Sequence, residues 1–229
     1  MEETYDVKKI KIALILNLIT TILTIAAIII MFTGFKFMYG YDPSLETTDL
    51  SIFKFFTVDS NVFVGIVSLI FAIYEIRILR GKIDEIPTKI YILKFMATTS
   101  VGLTFFVVFA YLGPIFIGEI EALLMNSNLF LHLLIPVTSM LNFTIFERTD
   151  KLKFKCTFLG VIPTIIYGIY YLTNIFMHVE NGKVSTIYDW YRFVQNGIWT
   201  TKIVVPALLL ITYIISVILW RMNKRGSKK

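Results

Sequence analysis

The stretch Phe53–Glu75, FKFFTVDSNVFVGIVSLIFAIYE, decides how this chain is read. It is long and apolar enough to cross a bilayer, which takes about 20 such residues. Yet it opens with Thr57, Asp59, Ser60 and Asn61 in close succession. Polar atoms inside a membrane helix are costly and face a protein interior or a cavity. Thr57 and Asn61 are four residues apart and share one helical face, with Ser60 beside them. Asp59, two residues from Thr57, points away from it. The pattern predicts a helix whose inner face needs partners from other helices.

Working outward, the chain offers five more apolar runs of spanning length. The spans predicted from hydropathy are Ile12–Phe35, Phe53–Ile76, Tyr91–Ile117, Leu129–Phe146, Cys156–Met177 and Trp199–Trp220. A kink is expected near Gly113-Pro114, and Pro163 and Pro206 fall inside spans, where neighbouring helices re-satisfy the freed carbonyls. Of the 229 residues 56% are hydrophobic and only 17% charged. Soluble domains run near 45–50% and ~25%. No polar stretch between the runs is long enough to fold alone, so residues 1–229 form one domain. The fold class is therefore an all-α integral membrane protein, a bundle of six transmembrane helices.

Orientation follows from the basic residues. Of the 22 Lys and Arg, 17 lie in the N-terminal tail, the second and fourth connections and the C-terminal tail. The positive-inside bias then predicts that both termini are cytoplasmic. The net charge of +6 is thus explained by topology and does not point to nucleic acid. Cys156 is the only cysteine, and His132 and His178 are far apart, which leaves no metal-ligand spacing. No cofactor is expected. The loop HVENGKVSTIYDWYRFVQNG, 178–197, carries Tyr and Trp suited to the headgroup region, as a short interfacial helix or a lid.

His132 sits in LFLHLLIPVTSMLNFTIFE, with Asn128 and Pro136 one turn to either side. If the spans alternate, the second and fourth run in the same direction. Thr57 and His132 then lie at equal depth, each about one turn inside the outer interface. Threonine needs an adjacent base to become a nucleophile, and neutral imidazole can take its proton and return it. An oxyanion would need side-chain donors such as Asn61, Ser60 or Asn128. No carboxylate is placed to orient His132. Glu75 and Glu147 are expected to be solvated helix ends, Lys94 to snorkel to the inner face, Asn17 and Asn174 to bond between helices, and the many aromatics to fill the core or face lipid.

These residues resemble those of the bacterial six-pass members of the androgen-induced-gene and androgen-dependent TFPI-regulating-protein group (FAR-17a or Pr6Pr). The matching motifs are FKFFTVDSN around Thr57, LHLLIPV around His132, and MHVENGKVSTIYDWYRF with His178 and Tyr188 or Tyr191. The resemblance implies an intramembrane threonine hydrolase acting on fatty acid esters of hydroxy fatty acids. Thr57 would be the nucleophile and His132 the base, with lipid or fatty acyl chains as substrate and a bacterial cell membrane as location. The chain departs from the eukaryotic pattern in its four-residue His132-to-Pro136 spacing and in lacking a Tyr-Pro pair. A second function compatible with the residues is a membrane transporter or lipid-binding protein with no bond chemistry, its polar groups continuing into the inner half, and a third is a structural partner of another membrane protein.

Overall fold

In the computed structural model, residues 7–39, 47–115, 123–181, 183–194 and 197–224 are described. Six helices are long and apolar enough to cross a membrane: α1 (Val7–Thr33), α2 (Phe56–Leu79), α3 (Thr88–Leu112), α4 (Leu129–Phe146), α5 (Phe154–Met177) and α6 (Thr201–Lys224). They match the six predicted spans, with ends displaced by a few residues. No strand occurs among the described residues beyond an isolated bridge between Glu180 and Lys183. Arg225, Lys228 and Lys229 of the predicted cytoplasmic tail lie outside the described residues. So do 116–117 of the predicted third span and parts of the predicted outer connections, 40–46 and 118–122.

The helices are packed with their polar and small residues inward. α1 buries Ala13, Asn17, Thr20, Thr24 and Ala27, at three- and four-residue spacing, and turns Ile15, Ile22, Ile25 and Ile29 outward. α6 buries Thr212, Ser216 and Asn223 and exposes Ile203, Leu210, Ile214 and Ile218. Lipid is as apolar as an isoleucine side chain, so burying isoleucine gains little there. Small residues that admit close approach, and hydroxyls that find partners, hold such helices together. Thr21 Oγ1 donates to the Gly65 carbonyl across the α1–α2 seam at 3.2 Å. A Cβ on Gly65 would lie 2.7–2.8 Å from the Thr24 side chain, including its Cβ. Turning the Thr24 rotamer cannot relieve that contact. Gly65→Ala is therefore expected to destabilise by roughly 1–3 kcal/mol through overpacking. Thermal unfolding in detergent would show it as a lowered midpoint, restored when Thr24→Gly is added.

Prolines set the helical register next to the cavity described below. A proline has no N–H to give the carbonyl four residues earlier. In α3 and α4 the chain answers with a π turn directly upstream. Gly113, before Pro114, donates to Val108 O, and Ile135, before Pro136, donates to Phe130 O. In α5 the answer is tighter: residues Phe154–Val161 form a 3₁₀ segment, and Ile162, before Pro163, donates to Leu159 O. Pro114 thus marks a change of hydrogen-bond register, and His132 lies within the π turn Leu129–Leu134.

Contacts at the two ends of the bundle agree with helices that alternate in direction. At one end the start of α1 meets the ends of α2 and α4, where Asn17 Nδ2 donates to Glu75 Oε2 at 3.0 Å and to Glu147 Oε1 at 2.7 Å. At the other, Phe37 N and Met38 N, just after α1, both donate to Asn126 Oδ1 before α4.

Candidate functional site

α2 begins without a side-chain cap of its own. Its first amide, Phe56 N–H, donates instead to the Tyr191 hydroxyl at 2.8 Å, brought by the loop between α5 and α6. That loop is tied down from within. Asp189, 2% exposed, accepts from Phe193 N–H at 2.9 Å, from Val194 N–H at 3.0 Å and from the Tyr171 hydroxyl of α5. Tyr167 of α5 donates to Lys54 O at 2.6 Å and accepts from Trp190 Nε1 at 3.0 Å. A hydrogen-bonded aromatic cover thus closes over the start of α2.

Beneath this cover lies a cavity of about 340 Å³, within the usual size of small-molecule sites. Its wall is mainly aliphatic and aromatic and draws on α2, α3, α4, α5, α6 and the loop. Thr57 and His132 both line it. No direct hydrogen bond joins the two side chains. His132 Nδ1 lies 2.8 Å from the Leu123 carbonyl. A carbonyl only accepts, so Nδ1 carries the proton, and Nε2 keeps its lone pair in the neutral ring. The orienter that the sequence does not reveal is therefore a backbone carbonyl preceding α4. Such a partner fixes both the tautomer and the ring plane.

The predicted oxyanion donors are placed elsewhere. Asn61 is fully buried, with Nδ2 given to Thr57 O at 2.7 Å and Leu131 O at 3.1 Å. Ser60 Oγ bonds Thr57 O and the Thr104 hydroxyl. Neither they nor Asn128 lines the cavity. Asn61 instead ties α2 to α4 one turn from Thr57. Asp59 faces a second hollow of about 400 Å³ between α2, α3 and α5, shared with Ser60, Tyr167 and Pro163.

Sequence reasoning missed Thr164, a residue of the cavity wall whose hydroxyl is buried without a hydrogen-bond partner. It also treated aromatics as filler, whereas Tyr167, Tyr171 and Tyr191 form part of the wall. The signal for Thr164 is its place directly after Pro163, where the helix changes register. Burial pushes the Tyr191 hydroxyl up to about 12, partly offset by its hydrogen bonds with Tyr167 and the Phe56 N–H. An acid raised in the folded state contributes stability below its ordinary value of about 10, lost as the pH climbs between the two. Unfolding midpoints should fall between pH 9 and pH 11, and fall less in Tyr191→Phe.

The other end of the bundle corrects three expectations. Lys94 does not snorkel and Glu75 and Glu147 are not solvated: they are 0%, 3% and 4% exposed. Lys94 Nζ lies 2.5 Å from Asn17 Oδ1, 2.9 Å from Ser68 Oγ and 3.4 Å from Glu147 Oε1. The reason is convergence, since four helices bring one polar residue or more each to the same level. Asn17 does bond between helices, whereas Asn174 Nδ2 reaches the loop carbonyl of Tyr188. Among the described residues, no group of three His, Cys, Asp or Glu side chains is arranged to hold a metal. No protein-family profile, no curated protein and no solved structure matches the chain.

Proposed function

We propose that this protein is an intramembrane hydrolase of lipid esters, a bacterial cell-membrane member of the androgen-induced-gene group it resembles, with both termini cytoplasmic. The observation that carries the reading is that Thr57 and His132, from two different helices, line one apolar cavity in which the His132 tautomer leaves Nε2 as the acceptor. An acyl chain suits such a wall. In the reaction, Thr57 Oγ1 attacks the ester carbon and its proton passes to His132 Nε2. The ester C–O bond breaks, and the proton goes from His132 to the departing alkoxide. Water then attacks the acyl-threonine, gives a proton to His132 and releases the fatty acid, and Thr57 recovers its proton. The cytoplasmic placement of the termini rests on the bias of basic residues.

The test is a fluorophosphonate probe applied to the purified protein. Labelling that disappears in Thr57→Ala and falls sharply in His132→Ala is expected. Labelling that survives both substitutions, or no labelling of the wild type, ends the proposal.

A second reading is favoured by the buried polar residues that continue down the core. Ser60 meets Thr104 at 3.2 Å, Thr98 meets Ser139 at 3.1 Å, and Ser68 meets Lys94 at 2.9 Å. A transporter would use such a file as a path. Solute flux into proteoliposomes that persists in Thr57→Ala would favour it over hydrolysis.

A further inference from the structure

The polar cluster at the far end from the cavity is short of one positive charge. Glu75 and Thr57 are 18 residues apart on α2, about 27 Å along its axis, so this is a separate locality. The charged groups facing one another are Glu75 from α2, Lys94 from α3 and Glu147 at the end of α4. α1 adds neutral Asn17, α2 neutral Ser68 and α4 neutral Asn142. With all three charged groups ionised the cluster carries one net negative charge. An uncompensated buried charge is strongly unfavourable.

The nitrogen donors present are already committed. The Lys94 ammonium has three N–H groups and meets three acceptors: Asn17 Oδ1, Ser68 Oγ and Glu147 Oε1. Asn17 Nδ2 serves both carboxylates. Asn142 Nδ2 donates to Glu147 Oε1 at 2.9 Å and to Ala13 O at 3.2 Å. Both partners are acceptors, which fixes the amide orientation and leaves Oδ1 on the other side. Two acceptor oxygens, Glu147 Oε2 and Asn142 Oδ1, are buried with no partner. Their residues are 4% and 0% exposed. Buried acceptors without a donor call for an explanation, such as a bound ion or proton.

We propose that the Glu75–Glu147–Asn142 cluster is a binding site for one monovalent cation, taken up either as a proton on the carboxyl pair or as an alkali ion at the free oxygens. The bound charge brings the cluster to neutrality against Lys94. Either isosteric change, Glu75→Gln or Glu147→Gln, does the same without a cation, so each single variant should fold and lose the site.

The test uses the full-length protein in lipid nanodiscs and separates the two sources. Infrared spectra at neutral pH report a protonated buried carboxyl, and unfolding midpoints in sodium against N-methylglucamine chloride at equal ionic strength report an alkali ion. One of the two signals is expected in the wild type. It should be lost in both single Gln variants and kept in Thr57→Ala, so the outcome is independent of the hydrolase reading. A wild type showing neither signal overturns the proposal without any variant. So does a signal that persists in either Gln variant, and the two substitutions are independent if one of them prevents folding.

Discussion

Thr57→Ala is expected to reduce hydrolysis of a fatty acid ester of a hydroxy fatty acid to the rate of the empty nanodisc. His132→Ala should lower turnover by about 10²–10⁴-fold, the usual contribution of a positioned acid–base group. The two side chains act as one unit on one proton, so the double variant should be no slower than Thr57→Ala alone. Thr57→Ser keeps a hydroxyl at the same place and should retain measurable turnover. Equal unfolding midpoints across the set would show that the losses are chemical. Among the described residues Thr57 Oγ1 has no hydrogen-bond partner, while the Thr57 carbonyl is held by Ser60 and Asn61. Removal of the hydroxyl therefore breaks no structural hydrogen bond. A Thr57→Ala protein with wild-type turnover, or a double variant slowed by the product of the two single effects, would refute this assignment.

The largest expected effect on stability is at Lys94. Lys94→Met removes the one basic side chain that, among the described residues, faces the two buried carboxyls, and leaves Asn17 Oδ1 and Ser68 Oγ without their donor. Removing one partner of a buried pair costs about 3–5 kcal/mol, because the remaining charge stays buried and uncompensated. The Phe71 ring, with its centroid 5.3 Å from Nζ, loses its cation as well. The midpoint should fall, and adding Glu147→Gln to Lys94→Met should recover part of the loss. If Lys94→Met unfolds at the wild-type temperature, the cluster does not hold the bundle together.

The six helices were legible because lipid imposes one condition on every spanning segment: it must be apolar for its whole length and satisfy its own backbone. The same alternation predicts equal depth for Thr57 and His132, and both residues line one cavity. What escaped the sequence depends on contacts between distant segments. The orienting group for His132 is the Leu123 carbonyl, and a backbone atom carries no residue-type signal. Tyr191 caps α2 from a residue 135 positions away. Lys94, Glu75 and Glu147 each lie near a helix end, where charge usually means water. Only the meeting of α1, α2, α3 and α4 at that level turns three apparent surface charges into a core. Asn61 was read as a substrate donor because of its spacing from Thr57, but both of its N–H groups are spent on carbonyls.

The cavity wall includes Tyr111, Ile165 and Ile169, which are 62%, 41% and 61% exposed on the flank of the bundle. In the proposed lipid hydrolase, this flank is the side from which an acyl chain would enter from the surrounding bilayer. A substrate entering there arrives from two dimensions, so its effective concentration is its mole fraction in the membrane and not its amount per volume of buffer. Adding inert phospholipid at constant bulk substrate should slow the reaction by surface dilution, and an apparent Michaelis constant acquires meaning only when expressed per lipid.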